Sequence, residues 1–262
     1  MKNILFLLSF IPFASYGFQT EVSGSFSSIE LDATSSISGY QATINYFYDE
    51  IYYDSKPYKE AAFISRESSF RLGLGSVDID DSVETVSGSS YEISGTKYAD
   101  DFYLFGGLAS SKVDDIEIRT YSISPGVFID KKSLLFVQYD YIDFLTTGEL
   151  GNTVSLGIKT VFKKANLQLI ASRVQLEDDT DQYNARQNTI LFERYLSNTT
   201  YLGISYQALK GDVFDLNDVN TAGIHFGGLI SRSFNFSMSY TTSEPKFDEK
   251  QTGISVSLGY SF

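Results

Sequence analysis

The feature that most constrains the fold is a two-residue alternation of apolar and polar side chains, repeated along almost the whole chain. It is clearest at the C-terminus, where Ile254, Val256, Leu258, Tyr260 and Phe262 alternate with Gly and Ser. This period indicates β-strands, because successive side chains of a strand point to opposite faces. Fourteen segments show it: 18–28, 39–49, 60–75, 89–98, 102–112, 116–129, 133–145, 151–162, 167–178, 185–196, 200–210, 220–231, 233–243 and 251–262.

The connections between these segments alternate between two kinds. Five are short: 99–101, 130–132, 163–166, 197–199 and 231–233. Most of the others are longer and acidic: 76–88, 146–150, 178–184, 211–219 and 242–250. Segments of about ten residues suit tilted membrane crossings, and short turns opposite longer loops are typical of bacterial outer-membrane barrels.

The sequence therefore predicts an all-β fold, a transmembrane antiparallel up-and-down β-barrel of about 14 strands with short periplasmic turns and longer acidic extracellular loops. One connection, Glu50–Pro57, is long yet falls on the side of the short turns. Mispairing there would leave 12 strands, which is the alternative count.

The composition of the two faces favours a membrane over a soluble β-sandwich. The polar face of the last strands holds Gly, Ser, Thr and Asn, while charges gather in the connections. A sandwich would instead carry charges on its water-facing side. The 21 Phe and 19 Tyr residues suit a lipid face with aromatic girdles. A secreted soluble β-protein is the alternative.

The N-terminus has the three regions of an export signal in the right order. Lys2 is followed by the apolar run Ile4–Phe13, and then by Ser15 and Gly17 at the expected cleavage positions. Such a run is too short to span a bilayer as a helix. We expect a signal peptide over residues 1–17, cleavage after Gly17, and a single barrel domain over 18–262 in the bacterial outer membrane.

Three segments resemble known outer-membrane proteins. The row Leu258, Tyr260 and Phe262 resembles the C-terminal assembly signal, which implies recognition by the barrel-assembly machinery. Lys56–Ser69 and Ser124–Tyr139 resemble segments of a porin family of Gram-negative bacteria. That family carries no catalytic residues, so the resemblance transfers none.

The sequence offers little for catalysis or metal binding. Its one histidine, His225, alternates with Ile224 and Phe226, which predicts that it faces the lumen. There is no cysteine, no GxSxG elbow, and no acidic cluster with the spacing of a calcium loop. We predict no catalytic residues, no cofactor and no metal. The net charge of −13 also argues against nucleic-acid binding.

The candidate lumen-lining residues are Asp140, Lys159, His225, Asn235, Ser237 and Ser255. We expect the hairpin that carries Asp140 and Lys159 to bring these two side chains together as an ion pair. The outer loops should present an acidic rim, which attracts cations. Its candidate residues are Asp78, Asp80, Asp81, Asp178, Asp179 and Asp181.

These features favour a porin-like channel for passive diffusion of ions or small polar solutes, with a preference for cations. The expected partners are outer-membrane lipid and lipopolysaccharide, the barrel-assembly machinery, and the diffusing solutes. A structural or surface-interaction barrel with a closed lumen is the alternative. A membrane-embedded hydrolase that uses His225 is less favoured.

Overall fold

The computed structural model describes residues 17–30, 35–52, 56–80, 85–146, 149–177, 182–212, 218–231, 233–245 and 250–262. The signal-peptide prediction therefore falls outside the described residues, apart from Gly17. The strands are β1 (Gly17–Glu30), β2 (Ser36–Tyr52), β3 (Ser69–Asp80), β4 (Thr85–Ala99), β5 (Phe102–Val113), β6 (Ile116–Phe128), β7 (Ser133–Phe144), β8 (Leu150–Val161), β9 (Ala165–Glu177), β10 (Gln182–Tyr195), β11 (Thr200–Asp212), β12 (Val219–Leu229), β13 (Phe234–Pro245) and β14 (Gln251–Ser261).

Each strand pairs with its neighbours in sequence, and β1 pairs with β14, so the sheet closes into a barrel. The closing register places Glu21 opposite Ser261 and Glu30 opposite Thr252, all antiparallel. Closure leaves no unpaired sheet edge, which a bilayer could not satisfy with hydrogen bonds. The prediction of a 14-strand antiparallel barrel is confirmed, and the count of twelve is wrong.

The two faces of the wall follow the predicted alternation. Large apolar side chains such as Leu74, Ile123, Leu156, Ile204 and Leu258 stand exposed on the outer face. A water-soluble protein rarely exposes so extended an apolar surface, whereas a barrel in lipid presents it to the acyl chains. Among the described residues, no helix is both long and apolar enough to cross a membrane.

Both ends of the described chain lie at one rim of the barrel, here called the terminal end. The backbone N–H of Gln19 donates to the carbonyl of Phe262 at 3.0 Å. The short turns at 100–101, 129–132, 162–164, 196–199 and 230–233 share this end. The opposite rim is the far end, where the predicted longer loops lie.

The strands extend further toward the far end than the apolar alternation predicts. For example, β3 continues to Asp80 and β4 begins at Thr85, so residues 81–84 replace the predicted loop 76–88. No connection at the far end exceeds six residues. Backbone pairing continues past the apolar band because a wall surrounded by polar groups needs no apolar outer face.

The long connection on the turn side, between β2 and β3, folds into the barrel. The predicted strand 60–75 is wrong before Ser69: Tyr58–Glu60 form a 3-10 turn and Ala61–Ser65 form a short helix, α1. A helix of five residues cannot persist alone in water. Contacts with the barrel wall must therefore hold this segment, Lys56–Ser68, which is called the plug below.

Candidate functional site: the plugged lumen

The plug is anchored first by apolar packing. Phe63 is 8% exposed and belongs to a buried cluster with residues of four wall strands, β6, β7, β8 and β10. Its ring centroid lies 5.4 Å from that of Phe128. A second apolar contact of the plug is made by Ala61, which is fully buried against Phe47 and Ile51 of β2. The remaining wall residues of the first cluster are Leu134, Phe136, Val161 and Tyr195.

Two buried carboxylates, each only 1% exposed, lie where the plug meets the wall. One belongs to the plug and the other to the wall. Glu60 of the plug pairs with Lys159 of β8 at 2.6 Å. Glu193 of β10 pairs with Lys59 of the plug. The side-chain amide of Asn166 donates to Glu60 at 3.0 Å and to Glu193 at 3.3 Å. Buried carboxylates require partners of this kind, because an isolated buried charge is strongly unfavourable.

The two lysines also cover aromatic rings. The Lys159 ammonium lies 4.4 Å from the centroid of Phe63, and the Lys59 ammonium lies 4.4 Å from that of Tyr201. Cations in this position are attracted to the face of the ring. Each lysine thus joins an ion pair to an aromatic contact, which couples the polar and apolar anchors of the plug.

Tyr58 fixes the plug to the strands that close the barrel. Its hydroxyl donates to Glu21 at 3.3 Å and accepts from the Asn235 side-chain amide at 2.7 Å. Its backbone N–H donates to the carbonyl of Asn198 at 2.7 Å. Burial, together with the nearby Glu21 carboxylate, raises the pKa of Tyr58 far above its usual range. The phenol therefore remains protonated at any physiological pH and remains a donor.

Arg66 ends α1 in the left-handed region, with φ of 59°. Its guanidinium donates to the carbonyl of Asp100 at 2.5 Å and to the carboxylate of Asp101 at 2.8 Å. It also lies 4.1 Å from the ring centroid of Phe128. A left-handed backbone is unfavourable for a residue with a side chain, so these contacts offset a local strain and tie the plug to the β4–β5 turn.

A cavity of about 740 Å³, the lumen cavity, is bounded by the plug and the inner wall. Its lining combines aromatic side chains with charged and amide groups. Residues that line it include Glu21, Arg71, Gln138, Lys159, Tyr201 and Asn235. A polar cavity enclosed by a lipid-facing wall can hold water and small polar solutes.

The expected pair of Asp140 and Lys159 does not form. In the β7–β8 register, Asp140 lies opposite Thr153 and Lys159 lies opposite Leu134. Asp140 accepts hydrogen bonds from Ser122 at 2.6 Å and from Gln138. The two residues are at opposite ends of the hairpin, since its connection at 145–149 fixes the register. Lys159 instead meets Glu60, which the sequence had assigned to a strand.

The other lumen candidates lie on strands β12 to β14. His225 Nε2 is 2.7 Å from the hydroxyl of Ser205, and no described carboxylate hydrogen-bonds to its ring. Asn235 and Ser237 line the lumen cavity. Ser255 lies opposite Ser239 on one side and Ser27 on the other.

The acidic residues predicted for the outer loops are only partly described. Asp78 and Asp80 lie in β3, not in a loop, and alternate with Val77 and Ile79. The hydroxyl of Ser87 donates to Asp78 at 2.7 Å, and that of Thr85 donates to Asp80. They share the outer face with the exposed Leu74, so they do not line the mouth. Asp81, Asp178, Asp179 and Asp181 lie outside the described residues.

The assembly-signal residues lie on the outer face of β14. Leu258 is exposed, opposite Gly24 of β1 and Phe236 of β13. Tyr260 packs edge to face with Phe234, with centroids 4.8 Å apart. Tyr260 is also 5.9 Å from the ring of Phe262.

Sequence reasoning missed the residues that hold the plug, above all Lys59, Glu60, Asn166 and Glu193. A signal was present, because the two-residue period fails between Pro57 and Ser68. There, adjacent charges precede the apolar run Ala61–Ile64, and this pattern suits a short helix with one packed face. Glu193, a carboxylate on the inner face of a strand beside Phe192, was the second signal.

Comparison with protein families and with curated proteins finds no match for the chain. Solved structures do match its fold. The outer-membrane protein Omp33 of Acinetobacter baumannii aligns with a TM-score of 0.62 at 15% identity, over 95% of this chain and 100% of that one. The CymD monoaromatic hydrocarbon channel aligns with a TM-score of 0.64 at 8% identity, over 94% and 89%.

An anion-selective porin from Comamonas acidovorans also aligns, with a TM-score of 0.54 at 10% identity, over 93% of this chain and 98% of that one. At these identities the likeness establishes the fold, that of an outer-membrane β-barrel. One of these proteins is named for monoaromatic hydrocarbons and another for anions, so solute and selectivity have to be argued from this chain's own residues.

Proposed function

We propose that the protein is a porin-like channel of the bacterial outer membrane, through which ions or small polar solutes diffuse passively. The observation that carries this proposal is the polar lumen cavity of about 740 Å³ inside a closed barrel with an apolar outer face. With the turns and both termini on the periplasmic side, as is usual for such barrels, the plug narrows the periplasmic end.

The plug also favours a second candidate, a structural or surface-interaction barrel whose lumen stays closed. Phe63 and the two buried ion pairs fasten the plug to strands on several sides of the wall. Conductance decides between the candidates. The refolded full chain in a planar bilayer should give discrete current steps, and liposomes that contain it should swell in small sugars. Current no greater than that of bare lipid, in the wild type and in variants with a loosened plug, would favour the closed barrel.

We further propose a preference for cations, now assigned to the lumen. Glu60 and Glu193 are paired with lysines, and Arg71 lies 3.6 Å from Glu92. Glu21 and Asp140 have only neutral hydrogen-bond partners among the described residues. A surplus of carboxylate in a low-dielectric lumen raises the local cation concentration.

Reversal potentials in a KCl gradient test this assignment with matched variants. Asp140→Asn should reduce the cation preference, whereas Asp78→Asn on the outer face should leave it unchanged. An anion preference in the wild type, or equal effects of the two variants, would contradict the lumen assignment. The difference should fade with salt, since the Debye length falls from about 10 Å at 0.1 M to about 3 Å at 1 M.

We also propose that the two ends of the chain direct export and assembly and that the barrel has no enzymatic role. The N-terminal segment would direct export and be removed, and the row that ends at Phe262 would be read by the barrel-assembly machinery. The barrel would act without catalysis. In support, His225 has a serine neighbour, but no described carboxylate hydrogen-bonds to its ring, as the third member of a hydrolytic triad would.

A further inference from the structure

Three cations lie side by side on the outer face of the barrel near its far end. Arg186 of β10 is directly opposite Arg173 of β9 and directly opposite Lys210 of β11. All three side chains are exposed. They alternate along their strands with inward residues such as Leu176 and Ala185, which pack together inside the barrel. Side chains directly opposite on neighbouring strands are about 5 Å apart at Cβ, so this basic row spans roughly 10 Å.

A row of like charges is unfavourable unless something neutralises it. Among the described residues, none of the three cations forms an ion pair with a carboxylate. Arg173 donates to the amide oxygen of Asn184 at 3.2 Å, which is a neutral partner. The nearest outward carboxylate on β9, Glu177, is four positions further along the strand, or about 13 Å. Asp212, which lies opposite Asn184 and two positions beyond Lys210 on β11, has its side chain outside the described part of the structure, as do the acidic connections 178–181 and 213–217.

On the strands β5 to β7, by contrast, outward cations lie next to outward carboxylates. There Arg119 is on the outer face with its guanidinium 2.8 Å from Glu117, and it lies opposite Asp143. Lys112 lies opposite Glu117. Cations on that side of the wall are therefore interleaved with carboxylates from the same face. The basic row differs because its strands supply three cations in register.

The position of the basic row between the terminal end and the far end of the barrel indicates what it binds. Toward the terminal end, the same face carries exposed apolar side chains, including Leu169, Ile190 and Ile204. Toward the far end, it carries an amide row in which Gln175 lies opposite Asn152 and Asn184. The cations thus lie at the boundary between the apolar band and the polar rim. In a bilayer, this boundary is where lipid phosphates meet the acyl chains.

We propose that Arg173, Arg186 and Lys210 form a binding site for the phosphate groups of an anionic glycolipid of the outer leaflet, such as lipopolysaccharide. Guanidinium groups match phosphate oxygens in a bidentate geometry, and a lysine adds a point charge. The amides of Gln175 and Asn184 would lie next to the sugar that carries the phosphate. This site depends on placement in the outer membrane and not on conduction.

The test uses the full chain, refolded in detergent free of lipopolysaccharide, with bis-phosphorylated lipid A as the probe. Native mass spectrometry measures lipid A bound per barrel. Arg186→Gln should weaken binding by about tenfold, as expected for the loss of one charge-assisted contact. Arg186→Lys should retain most of the affinity. Arg119→Gln, an outward arginine already paired with Glu117, is the matched control and should bind like the wild type.

Two further arms identify the source of the phosphate. Dephosphorylated lipid A should bind the wild type and Arg186→Gln equally weakly. Inorganic phosphate at the same concentration should not displace lipid A, because it lacks the acyl chains that lie on the apolar band. Equal binding of lipid A by wild type and Arg186→Gln would overturn the site and would point to neutralisation by the acidic connections. Displacement by inorganic phosphate would overturn the lipid assignment.

Discussion

The substitution Lys159→Met tests whether the buried ion pair holds the plug in place. Methionine keeps an unbranched stem over Phe63 but removes the charge that lies 2.6 Å from Glu60. Glu60 is 1% exposed, and the other groups that the wall brings to it are neutral: the Asn166 amide, which donates at 3.0 Å, and the Tyr195 hydroxyl. The carboxylate would thus be buried with neutral partners only.

The expected loss of docking free energy follows from the burial of the pair formed by Glu60 and Lys159. Removing one partner of a fully buried pair costs about 3–5 kcal/mol. The Lys159 side chain is 23% exposed, and the lumen is polar, so solvent screening reduces this to about 2 kcal/mol. The loss acts on docking of the plug, because the ladders of the fourteen strands do not depend on this contact. The ratio of undocked to docked plug should rise roughly 30-fold, at about 1.4 kcal/mol per factor of ten.

The chain has no cysteine, so one introduced cysteine reports docking. Ala61 is a plug residue that is fully buried against β2, and Ala61→Cys should react with a maleimide only when the plug leaves the wall. The labelling rate should rise roughly 30-fold when Lys159→Met is added. Lys164→Met, which removes a charge in the exposed turn after β8, is the control and should leave the rate unchanged.

A second substitution separates charge from shape. Glu60→Gln in the Lys159→Met background removes the carboxylate that has lost its cationic partner, and it should restore much of the docking. Rates within a factor of about two of each other in all four proteins would refute the reasoning, provided that heat-modifiable mobility shows a folded barrel. Simple additivity of the two substitutions would refute the pairing itself.

Three further predictions use other parts of the molecule. Arg66→Ala should loosen the plug at the β4–β5 turn and raise Ala61→Cys labelling, whereas Arg194→Ala should not; equal rates would contradict the anchoring role. Deletion of Phe262 should lower the yield of folded barrel in the outer membrane and leave periplasmic aggregates, and a normal yield would count against the assembly signal. His225→Ala should leave folding and conductance nearly unchanged, and a lipase or protease activity in the wild type that this variant loses would overturn the proposed non-enzymatic role.

The two-residue period carries most of the fold, and it does so for a local reason. Leu156 and Leu258 are exposed because lipid replaces a protein core on the outer face. Each strand can be recognised from the alternation within its own sequence. Connections of a few residues then force consecutive strands to pair as antiparallel neighbours. The barrel class therefore follows from the sequence alone, whereas the choice of fourteen strands over twelve needed the structure of the connection between β2 and β3.

The sequence did not determine strand ends at the far rim or the path of the plug. Asp78 was expected in a loop, yet backbone pairing carries β3 to Asp80, since hydrogen bonds between strands do not require an apolar face. The segment 60–65 was assigned to a strand because its apolar residues suit a strand as well as a short helix. Only contacts with distant strands resolve that ambiguity.

The candidate site shows the same division between local and non-local information. Alternation places Lys159 on the inner face of β8, but its partner, Glu60, lies 99 positions away on a segment that leaves the sheet. Asn166 and Glu193 come to the same point from two further strands. The period of a strand fixes which face a side chain occupies; the closure of the barrel and the entry of the plug decide which residues meet there.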